Sequence, residues 1–329
     1  MRFTFFAILT AVFLLPLAVS AQAMPMNSTA AFSLSVDPQY PTPYGQATLS
    51  AVSSTLDLSN ATITVSAAGK EIYQGSVQPV SVTVGKAGSV TNIKVTVTSA
   101  GTNYSQTLSI QPQDVALIAE PVSSAPPLYP GKSLVPLEGD VRVVAIANLQ
   151  DASGRTFDPA TLSYSWTVDD TQIADSSGIG KTAIIVASPL QYRARSVSVA
   201  VMSQDGSLVG GASLSLAAED PSVRIYENDP LLGILYDHAL SGDYVISNAE
   251  DTLYAAPFSF PTTSGAPSLQ WFLNGNEAQT GNSITLRPTG GGQGTASLSL
   301  VASAGESTRA VEELSLSFGA TSGGGLFGL

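Results

Sequence analysis

The feature that most constrains this chain is a period of two. Leu162, Tyr164, Trp166 and Val168 alternate with Ser163, Ser165 and Thr167, and Val197, Val199 and Val201 with Ser196, Ser198 and Ala200. Ile93, Val95 and Val97 flank Lys94 and Thr96, and Leu298 and Leu300 flank Ser299. Successive side chains of an extended strand point to opposite faces, so the apolar set lines a buried face and the Ser/Thr set meets water. β-Branched residues are common in these runs, and Gly, Pro, Asn and Asp punctuate them. No stretch beyond the N-terminal leader has the apolar spacing of an amphipathic helix. The pattern predicts an all-β chain.

The runs recur. Taking Trp166 and Trp271 as anchors, with Val65 as the equivalent in the first third, a turn residue follows four positions later at Gly69, Asp170 and Gly275. A later strand ends in a tight turn at Ser99-Ala100-Gly101, Asp205-Gly206 and Ser303-Ala304-Gly305. A final strand follows: Leu108-Ser-Ile110, Leu214-Ser-Leu216 and Leu314-Ser-Leu316, at nearly constant separation from the anchors. Repetition at this period predicts three units of roughly 100 residues, the size of one β-sandwich domain. The boundaries expected are 31–114, 115–219 and 220–319, with segments near Val115–Pro121 and Ser222–Pro230 opening the second and third units. Junctions this short favour a semi-rigid rod.

A central-strand Trp, a following turn and a late hairpin in units of this size resemble the immunoglobulin-like superfamily. Bacterial Ig-like and PKD-like modules of exported surface proteins are the nearest look-alikes. The runs Trp166-Thr-Val-Asp-Asp170 and Trp271-Phe-Leu-Asn-Gly275 stand where a PKD module has Trp before a Gly-Asp-Gly turn, and Val65 replaces Trp in the first unit. Antibody domains carry a Cys pair; this chain has no cysteine. The resemblance implies three tandem Ig-like β-sandwiches in which Val65, Trp166 and Trp271 are core anchors.

The N-terminus reads as a targeting segment. Arg2 precedes an apolar stretch from Phe3 to Val19, and small residues follow through Ala23, the layout of a secretory signal peptide over residues 1–23. The alternative is an uncleaved anchor, for which that stretch is near the lower limit of a bilayer span; the membrane is otherwise not an expected partner. Without cysteines, the exported chain must be held by its hydrophobic cores. Its formal net charge of −12 leaves no electrostatic footprint for nucleic acid.

Candidate chemistry is sparse. His238, the single histidine, follows Asp237, but no Gly-x-Ser-x-Gly elbow accompanies it. Gly178-Ile-Gly-Lys-Thr-Ala183 imitates nucleotide motifs, yet phosphate capture needs such glycines to open a helix, and Ala183-Ile-Ile-Val-Ala187 reads as a strand. No catalytic residue or cofactor is expected, except that Glu219, Asp220, Glu227 and Asp229 gather near the second junction as candidate calcium ligands. Beyond Phe318 the strand pattern stops. Residues 320–329 read as a Gly-rich tail whose Leu326, Phe327 and Leu329 could dock on a partner.

The function expected is a non-catalytic adhesion, spacer or assembly protein at the cell surface, in the periplasm or secreted. Its partner would be an envelope or surface protein such as a pilus or surface-layer component. The alternatives are a carbohydrate-binding accessory module, with a glycan as partner, and a hydrolase whose site lies between domains.

Overall fold

The computed structural model describes residues 31–289 and 293–319; the leader and the 320–329 tail lie outside them. Three β-sandwiches follow one another, each with its own apolar core. Among the described residues there is no α-helix, only short 3₁₀ turns at Pro159–Thr161 and Ala174–Ser176.

The first sandwich comprises β1 (Ser33–Asp37), β2 (Gln46–Val52), β3 (Thr62–Ala67), β4 (Lys70–Ser76), β5 (Val80–Thr83), β6 (Thr91–Ser99) and β7 (Thr102–Ile110). A sheet of order β1-β2-β5 faces one of order β4-β3-β6-β7. The second comprises β8 (Asp114–Pro121), β9 (Asp140–Asn148), β10 (Ser163–Val168), β11 (Thr171–Gln172), β12 (Gly178–Ile179), β13 (Ala183–Ala187), β14 (Ala194–Met202) and β15 (Val209–Ala217). Here β13-β9-β8 faces β11-β10-β14-β15, with β12 added beside β10. In antibody constant-type domains the fourth strand joins the first sheet. In this chain the short strand after each anchor strand pairs with that anchor strand instead.

The third sandwich departs from this plan at its entry. Its strands are β16 (Ser222–Asp229), β17 (Gly233–Ile234), β18 (Gly242–Ile246), β19 (Asp251–Phe258), β20 (Ser268–Leu273), β21 (Asn276–Thr280), β22 (Ser283–Leu286), β23 (Gly294–Ala304) and β24 (Thr308–Phe318). After β16 and the β17 hairpin the chain crosses to the opposite sheet, where β18 runs parallel to β24. The first edge strand is thereby split between two sheets.

The anchors occupy one position in all three units. Val65 pairs with Val95, Trp166 with Val199 and Trp271 with Leu300, and each anchor has 0% of its surface exposed. Burying an indole leaves a donor to satisfy. Trp166 donates to the Lys181 carbonyl at 2.8 Å and Trp271 to that of Gly281 at 2.9 Å. The turn after each anchor has two left-handed residues: Ala68 and Gly69 (φ 49° and 81°), Asp169 and Asp170 (47° and 62°), Asn274 and Gly275 (50° and 79°). This is the two-residue hairpin geometry that matches strand twist. The first residue of each turn donates its N–H to the partner strand, at Asn92, Ser196 and Ser297. The repeat seen in sequence is therefore a repeat of hydrogen bonds.

Candidate functional site: the clasp between the second and third sandwiches

Residues 122–139 leave β8 and cross to the third sandwich before returning as β9. Proline explains the path, because Pro126, Pro127, Pro130 and Pro136 have no N–H to extend a ladder in their own sheet. Val122 still donates its N–H within its own sheet, to the Asp140 carbonyl at 2.9 Å, but Ser124 donates to the third sandwich, to the Phe260 carbonyl at 2.8 Å. In return Phe260 N–H donates to Ser124 Oγ at 3.1 Å, Ser259 N–H to the Ser124 carbonyl and Thr262 N–H to the Val122 carbonyl, both at 3.2 Å. The Ser259 hydroxyl lies 2.9 Å from the Glu219 carbonyl and 3.2 Å from that of Val135. Ser259 and Phe260 are fully buried and Ser124 nearly so. Hydrogen bonds withdrawn from water in this way are costly to break singly.

Aromatic packing continues the contact. Tyr226, Tyr254 and Phe258 stand on the outward face of β16 and β19. Tyr129, carried by the clasp, packs edge-to-face on Phe258 at 5.1 Å and on Tyr236 at 6.3 Å, and Tyr236 packs on Tyr226 at 5.1 Å. The Tyr236 hydroxyl donates to the Pro127 carbonyl at 3.0 Å. Burial, with the neighbouring tyrosines, pushes the Tyr236 phenol up to about 12. Rings locked edge-to-face present no broad flat surface on which a sugar could stack.

The first junction is also in contact. Gln113 and Gln150 exchange two hydrogen bonds, at 2.7 and 3.0 Å, with Gln113 buried. Tyr40 lies against Gly211, where an added Cβ would come within 2.4 Å of its ring. Gly88 N–H donates to the Pro112 carbonyl, and a Cβ added there would come within 2.4 Å of the Asp151 carbonyl oxygen.

Three turns display bulky side chains at cost. Tyr44, Leu128 and Tyr192 have φ of 60°, 62° and 61° and are 72%, 96% and 92% exposed. Each precedes the N–H that closes its turn: Gly45 on Thr42, Tyr129 on Pro126 and Arg193 on Leu190. Glycine is the unstrained residue at that position of such a turn. These residues were not among the candidates read from the sequence.

The four acidic candidates do not converge. Glu219 and Asp220 precede β16, whereas Glu227 and Asp229 end it, and the Ser222–Asp229 strand spans about 23 Å at the usual rise. One Asp220 oxygen accepts from Gln191, and one of Asp229 accepts from the N–H groups of Leu231 and Leu232. Among the described residues no three Asp, Glu or His side chains gather as metal ligands. His238 does meet Asp237, at 3.0 Å, because both lie on an exposed turn rather than a strand. Gly178-Ile179 forms β12 and β13 follows, while the N–H groups of Gly180 and Thr182 are taken by the carbonyls of Leu162 and Gly180. A shallow depression of about 230 Å³ is lined by Phe157, Thr161, Gln204 and Asp205. Hydrogen bonds from Ser203 and Ser207 hold its one carboxyl, Asp205, below the usual carboxylate range. A carboxyl held ionised is poorly suited to proton donation.

The buried carboxylate Asp251 also escaped the sequence reading. It is 5% exposed, and one oxygen accepts from Asn248 at 2.7 Å. Burial and then the charges of Asp251 and Glu227 raise the Tyr244 phenol far above its ordinary range.

No protein-family model matches this chain, and no curated protein matches it. Among solved structures it is similar to the central fibronectin-III array of RIM-binding protein, at 9% identity and TM-score 0.30, covering 88% of this chain and 96% of that one. It is also similar to the three N-terminal domains of the bacteriophage RB49 Highly Immunogenic Outer Capsid protein, at 14% identity and TM-score 0.23, covering 88% and 100%. A third similarity, at 15% identity and TM-score 0.24, is to fibronectin(III)-like modules of Clostridium thermocellum CbhA, covering 57% and 94%.

Proposed function

We propose that this chain is a non-catalytic spacer and assembly module of a bacterial envelope, exported by its N-terminal segment and binding another surface protein. The observation that carries the reading is the clasp. A segment of the second sandwich is hydrogen-bonded into the third through Ser124, Ser259 and Phe260, so the two move as one body. A binding module on a flexible string would gain nothing from such a joint; a spacer that holds its faces at fixed separation does. The strained turns at Tyr44, Leu128 and Tyr192 add to this, since bulky side chains held in water on costly backbone are understandable where a partner covers them.

Protein is favoured over glycan because Tyr129, Tyr226, Tyr236 and Phe258 are interlocked at the joint, while the exposed rings of Tyr44 and Tyr192 stand on different sandwiches and form no shared platform. The test is capture from envelope extract with the exported chain as bait, beside the triple variant Tyr44→Ser, Leu128→Ser and Tyr192→Ser. A surface protein retained by the first and released by the variant is the expected result. Retention of glycan alone, or equal capture by both baits, would overturn the reading.

A further inference from the structure

The clasp has the geometry of a lap joint. β8 runs from Asp114, just after the first sandwich ends at Ile110, to Pro121, from which the chain leaves for the third sandwich. β19 runs the opposite way: its Phe258 stands beside Ser222, where the third sandwich begins, so β19 ends facing the second sandwich. Each strand then continues beyond its own sheet. The two extensions lie side by side and antiparallel, with Ser123 opposite Pro261. Four hydrogen bonds cross between them. Ser124 N–H donates to the Phe260 carbonyl, and the N–H groups of Phe260, Ser259 and Thr262 donate back to Ser124 Oγ, the Ser124 carbonyl and the Val122 carbonyl. Bonds between antiparallel strands stand perpendicular to them. A pull along the strands therefore loads all four together in shear, and none is peeled off ahead of the rest.

The joint is braced around its edge. The Ser307 hydroxyl, on the turn between β23 and β24, donates to a Glu138 carboxylate oxygen at 2.8 Å, and Tyr236 holds the Pro127 carbonyl. The short linker between Ala217 and Ser222 is pinned to the same place. Glu219 donates its N–H to the Val135 carbonyl at 2.9 Å, and its carbonyl accepts from the Ser259 hydroxyl at 2.9 Å.

Tension arriving from the first sandwich enters the second at Asp114, the start of β8. Two routes lead onward. One follows β8 and crosses the joint to Phe260. The other crosses the core of the second sandwich to β15, passes along the linker and enters the third sandwich at β16. The first route is short and has no folded core in series. To open the second sandwich, Asp114 must also draw away from Ala217, and the joint forbids this while it holds, because it ties the far end of β8 to the body that carries the linker.

We infer that the clasp is a load-bearing strut, carrying tension along the chain from β8 to Phe260 and shielding the core of the second sandwich and β16 until residues 122–124 shear from 259–262. This goes beyond the spacer reading and does not rest on it: the purified chain can resist or fail under force whatever is captured from an envelope extract.

Pulling single molecules tests the strut. The chain has no cysteine, so engineered thiols attach handles at chosen positions only. A tether from Thr29→Cys to Ser322→Cys loads the joint. A tether from Asp220→Cys to Ser322→Cys loads β16 directly and leaves the joint out of the path. At full extension Ser33–Ile110 releases about 25 nm, and Asp114–Ala217 and Ser222–Phe318 about 30 nm each, which separates the first sandwich's step from the longer two. The longer steps of the first tether should require more force than the step of the second tether. Ser124→Pro removes both the N–H and the hydroxyl at the centre of the joint, in a stretch already extended as proline requires. It should bring the longer steps of the first tether down to the force of the second and leave the second tether unchanged, a split that loss of folding cannot mimic. Equal forces in the two tethers of the unaltered chain overturn the inference. So does a first tether indifferent to Ser124→Pro, or a fall of the same size in both.

Discussion

Replacing Ser124 by Ala removes one oxygen at the centre of the clasp. That oxygen is the acceptor for the Phe260 N–H at 3.1 Å, and Phe260 is fully buried. The backbone donation from Ser124 to the Phe260 carbonyl survives, so the geometry is held while one donor is orphaned. An unsatisfied buried N–H costs about 1–3 kcal/mol, against a few tenths for an exposed hydroxyl. Ser123→Ala is the internal control, since its hydroxyl binds the Leu134 carbonyl at an exposed site. The two tryptophans supply the assay because one lies in each of the joined sandwiches. Urea unfolding is followed by fluorescence in Trp166→Phe, which reports the third sandwich, and in Trp271→Phe, which reports the second. If the clasp makes one cooperative unit, Ser124→Ala lowers both reporters together by about 1–3 kcal/mol, and Ser123→Ala moves neither by more than about 0.5. A shift confined to one reporter, or no shift in either, would refute the reasoning.

Other expectations follow from single positions. Leu128→Gly and Tyr192→Gly relieve left-handed backbone and should each stabilise the chain by about 0.5–1 kcal/mol net of glycine's entropy, as read by chemical denaturation. Gly88→Ala, at φ 77° and with a Cβ 2.4 Å from the Asp151 carbonyl, should cost about 2 kcal/mol or more and give the first sandwich a separate melting transition. Tyr236 is held neutral in the folded state up to about 12. Its contribution is complete below pH 10, the ordinary tyrosine range, and fades as pH rises through about 12. Stability should therefore decline steeply across that window, with a shallower slope in Tyr236→Phe. Because Glu219 and Asp220 sit at the other end of β16 from Glu227 and Asp229, added calcium should leave the thermal midpoint where a chelator leaves it; a rise with calcium would mean that ligands converge in a way the strand forbids.

What was legible in the sequence is what depends on neighbours along a strand. Alternation gave the inner faces because side-chain direction follows from residue parity. The turn four residues after each anchor recurs because a two-residue hairpin needs two left-handed residues there, satisfied by Gly69 and Gly275 and tolerated by Asp170. Ser124 and Ser259, by contrast, have no local signature. Each is one serine among many until the fold brings positions 135 residues apart into contact, and the proline-rich run 126–136 shows only that this stretch cannot lie in a central strand. The four acidic candidates are parted for a related reason: residues near one another in sequence lie far apart when an extended strand such as Ser222–Asp229 runs between them.

The outer face of the middle sandwich lies between these cases. Its signal was present in Val143-Val-Ala-Ile-Ala147 and Ala183-Ile-Ile-Val-Ala187, where the alternation otherwise kept by Ser and Thr lapses into continuous apolar sequence. Such a lapse says that both sides of a strand avoid water, but it is silent about what covers the second side. The three sandwiches can be compared within one chain. The same sheet is mostly polar on its outer face in the first sandwich, faced with packed tyrosines in the third and open in the second, where Ile118, Ile146 and Ile185 are exposed. Since the three sandwiches share a plan, the fold alone does not demand an aliphatic outer face. The aliphatic outer face of the middle sandwich is therefore written in its own sequence, at Ile118, Val144, Ile146 and Ile185, and not in the plan that the three sandwiches share.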